Sequence, residues 1–344
     1  MTTHDSDRSA LPGRGEFGGQ VVAGPYQPTA AAMDSNDSLF GMPPEALYLW
    51  GTLRDAEGDL HTIMRRIPHD GKPKSRRRLV VQSTIGGADA LRMHPCGMNS
   101  AAHVDPTREL IDENTIEWRS NPEADGAPFR ARWGNETCRW VEEGVFDLTG
   151  TLIGPGLQWY VPGKRASMAY VATIYRLKGS IFDRPCEGLI GFDQIYMYEG
   201  GEVYQKLDPL IEDGLEHLWY TWATCYRDGS IDAGHFMLGN NRFGFAITTD
   251  ENQDVRITTD VDGEVAYGED GYWPIGAKFR MGTKEYEFLP DPRGRMPDLG
   301  PIPNPQVDGR WRPVGDTREP EVWYAWGETV PASGPRPTRR IYTP

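Results

Sequence analysis

Glu216-His217-Leu218-Trp219-Tyr220-Thr221-Trp222-Ala223-Thr224-Cys225-Tyr226, then Arg227-Asp228-Gly229-Ser230, then Ile231-Asp232-Ala233-Gly234-His235-Phe236-Met237-Leu238, reads as strand, turn, strand. Asp-Gly between two apolar-rich runs is the strongest short-range hairpin signal, because a tight primed turn needs residues that tolerate positive φ. A two-residue Asp228-Gly229 turn sets a register in which Tyr226 faces Ile231, Trp222 faces His235, Trp219 faces Leu238 and His217 faces Asn240. Alternation then puts His217, Trp219, Thr221, Ala223 and Cys225 on one face with Asp232, Gly234, Phe236, Leu238 and Asn240. Both faces are largely apolar, so the hairpin is expected to be buried on both sides, enclosing a pocket with one face and packing with the other.

The same pattern extends outward. Leu47 to Leu53 and Leu60 to Ile67 form a first hairpin, and Met168 to Gly179 pairs with Cys186 to Met197. Strands recur at ~8–12-residue spacing with turn signals and no 3.6-residue period, which predicts an all-β chain with little helix. At 344 residues, two β-barrel or sandwich units are expected. The predicted division is a mobile N-terminal arm over 1–40, one β-unit over 41–165, a second over 166–330, and a Pro- and Arg-rich tail over 331–344. Residues 88–112 are the poorest β-candidate, with short helical turns expected near 90–93 and 107–111. Residues 290–313 are Pro- and Gly-rich and are expected to form an extended surface wrap.

Composition narrows the function. Formal net charge is −14, from 50 acidic and 36 basic residues. That argues against a nucleic-acid partner, which needs a basic stripe, and against an anionic membrane surface. No apolar run reaches membrane-spanning length and no signal core precedes Gly24, so a cytoplasmic chain with no membrane insertion is expected. Cys96, Cys138, Cys186 and Cys225 are scattered, without metal-ligand spacing, and are expected to be reduced. Phosphate-cradling loops, the Gly-x-Ser-x-Gly elbow and His-Glu-x-x-His are missing, so no cofactor and no metal are expected. A site from His94, His103 and Asp105 is conceivable, though solvated loop histidines fit the same residues. The 11 Trp, 15 Tyr and 11 Phe suit both core packing and a cavity for an apolar ligand.

Two segments carry a resemblance. Tyr175-Arg176-Leu177-Lys178-Gly179-Ser180-Ile181 through Pro185-Cys186-Glu187-Gly188-Leu189-Ile190-Gly191-Phe192-Asp193 resembles a strand-Gly-strand element of the AttH/CrtC-like proteins. These are similar to the carotenoid 1,2-hydratases (hydroxyneurosporene synthases) and, more distantly, to two-lipocalin-domain pericyclases. Glu216-His217-Leu218-Trp219 resembles the acid-His-x-Trp segment that opens the second half of such chains. The resemblance covers roughly residues 165–250, with a weaker match over Leu49–Asp55. In the hydratases the His-x-Trp pair is joined by Tyr-x-Asp on a following strand. Here that strand reads Phe243-Gly244-Phe245-Ala246-Ile247-Thr248-Thr249, with no acid until Asp250, and Asp193 is the carboxylate expected in its place.

The resemblance implies two lipocalin-like β-units packed together, with cofactor-free chemistry on a hydrophobic, terpenoid- or polyene-like small molecule held in or between them: hydration, dehydration, isomerisation or cyclisation. Proton transfer would fall to His217 with Asp193 or Glu216, because a carboxyl buried against aromatics stays protonated and can act as an acid. Trp219, Phe236, Asn240 and Tyr196 would shape the substrate. His217 as a core histidine bonded to Asn240, and Glu216 as a solvated rim charge, fit the same residues. A non-catalytic lipocalin-like carrier would show the same cavity without an acid in reach, and a carbohydrate-binding β-module would need exposed planar aromatics.

Overall fold

The computed structural model describes residues 22–69, 79–101, 107–161, 167–203, 207, 218–239, 244–250, 252, 254–298 and 304–331. Glu216, His217 and Asn240, with His103, Asp105 and most of the terminal arm and tail, lie outside the described residues. In chain order the first half carries β1 (Val22–Tyr26), a short helix α1 (Ala30–Asp34), β2 (Pro44–Asp55), β3 (Leu60–Pro68), β4 (Val80–Ser83), β5 (Arg92–Met93), β6 (Thr107–Asp112), β7 (Thr115–Arg119), β8 (Phe129–Gly134), β9 (Thr137–Glu142), β10 (Phe146–Leu152), β11 (Gly156–Val161), β12 (Met168–Ile181) and β13 (Arg184–Met197). The second half carries β14 (Leu218–Tyr226), β15 (Ile231–Leu238), β16 (Gly244–Asp250), β17 (Val255–Thr258), β18 (Val261–Tyr267), β19 (Pro274–Met281), β20 (Lys284–Arg295), β21 (Val307–Pro313) and β22 (Pro320–Thr329). The chain is all-β, as the turn spacing predicts.

All strands of the first half belong to one antiparallel sheet of 13 strands, ordered β5-β4-β3-β2-β13-β12-β10-β9-β8-β7-β6. β12 forks: Met168–Ala172 pairs with β11 and Tyr175–Ile181 with β10. The sheet curls, because Val81 of β4 and Trp118 of β7, from opposite ends of that order, share one core with Leu49, Trp133, Trp140 and Phe192. Across the interior, Arg65 of β3 donates to both carboxylate oxygens of Glu142 on β9, each at 2.6 Å. Ser100 Oγ and Trp140 Nε1 donate to the same carboxylate at 2.7 and 2.8 Å, so this buried pair is hydrogen-bonded on every side, as a buried ion pair must be.

The second unit is a sandwich. A five-stranded sheet, β17-β16-β15-β14-β22, packs on a four-stranded one, β18-β19-β20-β21. Between them lie Tyr220, Trp222, Phe236, Phe279, Phe288 and Trp311. Two lipocalin-like β-units therefore pack together, but the division differs from the expected one. Residues 168–197, assigned by sequence to the second unit, pair with β2 and β10 and belong to the first. The long hairpin β12–β13 completes the curled sheet, and the change of sheet comes after Met197.

Other expectations shift for local reasons. The described part of the N-terminal arm is ordered: β1 pairs with β11, and Ala30 and Met33 of α1 are buried in the first core. Thr29 caps α1, its Oγ1 accepting from Ala32 N at 3.1 Å. Residues 107–112 are strand rather than helical turn, and the region from 290 onward contains the end of β20 and all of β21 rather than a loose wrap. The β14–β15 turn has three residues, not two. Tyr226 N donates to Ser230 O, Gly229 N donates to Tyr226 O, and Gly229 has φ +85°, the type I turn with a left-handed glycine that closes three-residue hairpins. The register slips by one: Thr221 pairs with His235, Trp219 with Met237 and Tyr220 with Phe236.

Candidate active site between the two β-units

That slip decides which side chains meet. On the face of the five-stranded sheet turned toward the first unit stand Trp219, Thr221 and Ala223 of β14, Ala233, His235 and Met237 of β15, and Tyr324, Trp326 and Glu328 of β22. Phe236, expected beside Trp219, lies on the opposite face, 4.9 Å from Trp311 in the sandwich core. His235, read from sequence on the packing face, takes the place beside Trp219.

The first unit meets this face with the outward side chains of β2, β11, β12 and β13: Tyr48, Trp50, Trp159, Tyr170, Ala172, Ile174, Leu189 and Asp193. Alternation accounts for the division, since Leu47, Leu49, Ile190 and Phe192 between them point into the curled core. Gly191 lets the Trp50 indole lie flat across β13, because a Cβ there would meet Trp50 Cε2 at 2.8 Å.

Asp193 is one of the buried acids of this interface. It is 3% exposed. Trp50 Nε1 donates to its Oδ2 at 2.7 Å, Tyr170 supplies a second side-chain hydrogen bond, and Oδ1 makes none. Burial pushes its pKa up to about 7, against the smaller opposite pull of the Trp50 and Tyr170 donors. Asp193 therefore holds its proton to much higher pH than an exposed aspartate. Asp308, where Thr52 Oγ1 donates at 3.1 Å, is likewise pushed up to about 7 by burial.

Beside it is an aromatic box. Tyr170 stacks on Trp159 at 4.9 Å, and Trp159 stacks on His235 at 4.1 Å. Trp219 meets the His235 ring edge-on at 4.2 Å and Tyr170 at 5.7 Å. Trp50 closes the other side against Tyr324 and Trp326, both at 5.3 Å. Burial alone holds the His235 imidazole well below its ordinary range, so it is neutral. Its Nδ1 lies 2.8 Å from Thr221 Oγ1.

Of the sequence-predicted residues, Asp193 and Trp219 come together here. Tyr196 points the other way, into a small cluster with Met42, Ala169 and Val171, because it alternates with Ile195. Sequence reasoning missed Trp50, Trp159, Tyr170 and His235. The first three were legible only through the pairing of β2, β11, β12 and β13. The fourth was hidden by the length of one turn. His94 caps a 3-10 turn, its Nδ1 accepting from Cys96 N at 3.2 Å. Among the described residues no group of three or more metal-binding side chains occurs, no helix is long and apolar enough to cross a membrane, and all four cysteines are free.

No family model matches the chain, and no curated protein matches it in sequence. Among solved structures it is similar to a protein from Nitrosomonas europaea described as "a putative AttH", at 13% identity and a TM-score of 0.45, covering 87% of this chain and 95% of that one. It is also similar to kievitone hydratase from Nectria haematococca, at 7% identity and a TM-score of 0.44, covering 89% and 94%. At such identities and scores neither likeness assigns chemistry to this chain.

Proposed function

We propose that this protein is a cofactor-free lyase, isomerase or cyclase that transfers a proton to a hydrophobic, terpenoid- or polyene-like small molecule between its two β-units. The observation that carries the reading is Asp193: a carboxyl withdrawn from water, with one oxygen unbonded and a pKa pushed up to about 7. Strongly perturbed carboxyls of this kind concentrate at catalytic sites, because a general acid works best with a pKa near the working pH. Trp50 orients the carboxyl through Oδ2 and leaves Oδ1 as the proton-bearing oxygen. Protonating an alkene carbon creates a cation, and the indole faces of Trp50, Trp159 and Trp219 stabilise positive charge in a dry site. His217 and Glu216, which precede Trp219 in the sequence, are proposed as further proton-transfer groups on the strength of the sequence alone.

The test is incubation with a panel of acyclic and cyclic terpenoids and polyenes in deuterium oxide. Proton transfer to carbon leaves a C–D bond that mass spectrometry reads whichever product forms. Wild-type protein is expected to label at least one substrate, and Asp193→Asn to lower the rate by ~10²–10⁴-fold, the span for a lost general acid. Turnover without deuterium in the product, or labelling undiminished in Asp193→Asn, would overturn the reading.

A further inference from the structure

A second group of buried polar side chains remains unused by the Asp193 chemistry. His235, Thr221 and Thr249 line one cavity, with apolar Leu157, Ala172 and Ala233 completing much of its wall. The space open to a water's centre is about 10 Å³, close to the one-sphere minimum that a single water needs. Thr221 occupies His235 Nδ1. His235 Nε2 and Thr249 Oγ1 are both buried and make no hydrogen bond to the protein. Stacked on Trp159 and held edge-on by Trp219, the imidazole has no freedom to turn Nε2 elsewhere.

The outer wall of this cavity is thin. A surface cleft of about 330 Å³, lined by Arg176, Tyr226, Ser230, Ile231 and Glu321, shares Ile153 and Gly154 with it. Gly154 has no side chain to fill the partition: an added Cβ would stand 3.2 Å from Ile231 Cδ1 and 4.0 Å from Thr249 Cγ2.

We propose that the cavity is a water site, supplied from the cleft past Gly154. One water is held between His235 Nε2 and Thr249 Oγ1, and it is the water that adds to the substrate. The proposal rests on the proton-transfer reading of Asp193 and makes the reaction a hydration, or a dehydration in reverse. The Asp193 proton bonds to one alkene carbon through the π electrons, leaving a cation on its neighbour. A lone pair of the water oxygen forms the C–O bond, and one water proton passes to the Nε2 lone pair of His235. In this step the imidazole carries its proton on Nδ1, which donates to Thr221 Oγ1, and Nε2 is free to receive the water's proton. The imidazolium releases its proton toward the cleft and Asp193 is reprotonated from solvent, so the net change is addition of one water. Neutral His235 is a sufficient base, because the protonated alcohol it relieves is a far stronger acid than an imidazolium.

A high-resolution crystal structure of the full chain is expected to show an ordered water within hydrogen-bond distance of both His235 Nε2 and Thr249 Oγ1. A cavity without that water would overturn the proposal. In solvent carrying deuterium and oxygen-18, Ala233→Leu, which fills the cavity, is expected to lower the ratio of oxygen addition to deuterium incorporation by about tenfold or more, as for loss of a general base. Thr249→Val, which keeps the shape and removes the hydroxyl, is expected to lower the same ratio and serves if the leucine variant does not fold. An unchanged ratio would refute the assignment of this water to the reaction. Absence of deuterium in wild-type products would instead refute the Asp193 reading, and the crystallographic water would still decide the site.

Discussion

Burying Asp193 reverses the usual contribution of a carboxylate to stability. Its pKa moves up from 3.8 to about 7 on folding. Between those values the folded chain holds a proton that the unfolded chain has lost, so stability falls as pH rises through that window and is level above it. Fully expressed, the shift corresponds to a loss of about 4 kcal/mol. Asp193→Asn keeps the shape and removes the charge, so its urea midpoint is expected to exceed that of wild type at pH 8 and to converge with it near pH 4. A variant less stable than wild type at pH 8 would show that the carboxylate is well solvated. Asp308 and Asp232, pushed up to about 7 and about 6, add slopes of the same sign. His235 opposes them below pH 6.5, where the unfolded chain takes up a proton that the folded chain refuses. Comparing the variant with wild type isolates Asp193. This residue was legible in sequence as a carboxylate beside aromatics. That Trp50, 143 residues earlier, donates to it was not, because only the β2–β13 register brings them together.

At the scale of the element, the β14–β15 hairpin shows how far pattern reading reaches. Asp228-Gly229 marks the turn, and both strands follow the expected alternation. The same dipeptide serves a two-residue turn with both residues at positive φ and a three-residue turn with glycine last, and the two differ by one residue in register. Here Ser230 N and Oγ both donate to Asp228 Oδ1, at 2.9 and 2.6 Å, and hold the longer turn. The slip exchanges the faces of His235 and Phe236, and with them a candidate base for a core aromatic. Gly229→Ala meets no neighbouring atom within 4 Å, so its cost is backbone strain alone, about 1–2 kcal/mol in urea unfolding. Deleting Arg227 leaves Tyr226 opposite Ser230 across a two-residue Asp228-Gly229 turn, so His235 is expected to stay opposite Thr221 and on the face of Trp219. Such a chain should still give a soluble, cooperatively folded protein, whereas a deletion variant that fails to fold would show that the three-residue turn itself is required.

The whole molecule is held together by what its two units hide from each other. Trp50, Trp159, Ile174 and Leu189 on the first unit, and Trp219, Ala233, Tyr324 and Trp326 on the second, are all buried where the sheets meet. Sequence composition indicated two β-units, but the boundary was misplaced because β12 and β13 look alike as pattern whichever sheet they join. Residues 22–207 expressed alone would expose that indole-rich face and are expected to aggregate, and the full chain to unfold in one transition. Two separate transitions would contradict a shared core. Trp50→Ala is expected to cost about 3–5 kcal/mol, the usual toll of truncating a buried indole, and to raise the Asp193 pKa further by removing a donor. On the proposed reading, burial where the units meet is what raises the Asp193 pKa. The most direct test is a carbon-13 NMR titration of aspartate carboxyls in the intact chain, with Asp193→Asn to assign the signal. A midpoint near 7 is expected for Asp193, and a carboxyl already ionised at pH 5 would contradict the buried acid on which the proposed chemistry depends.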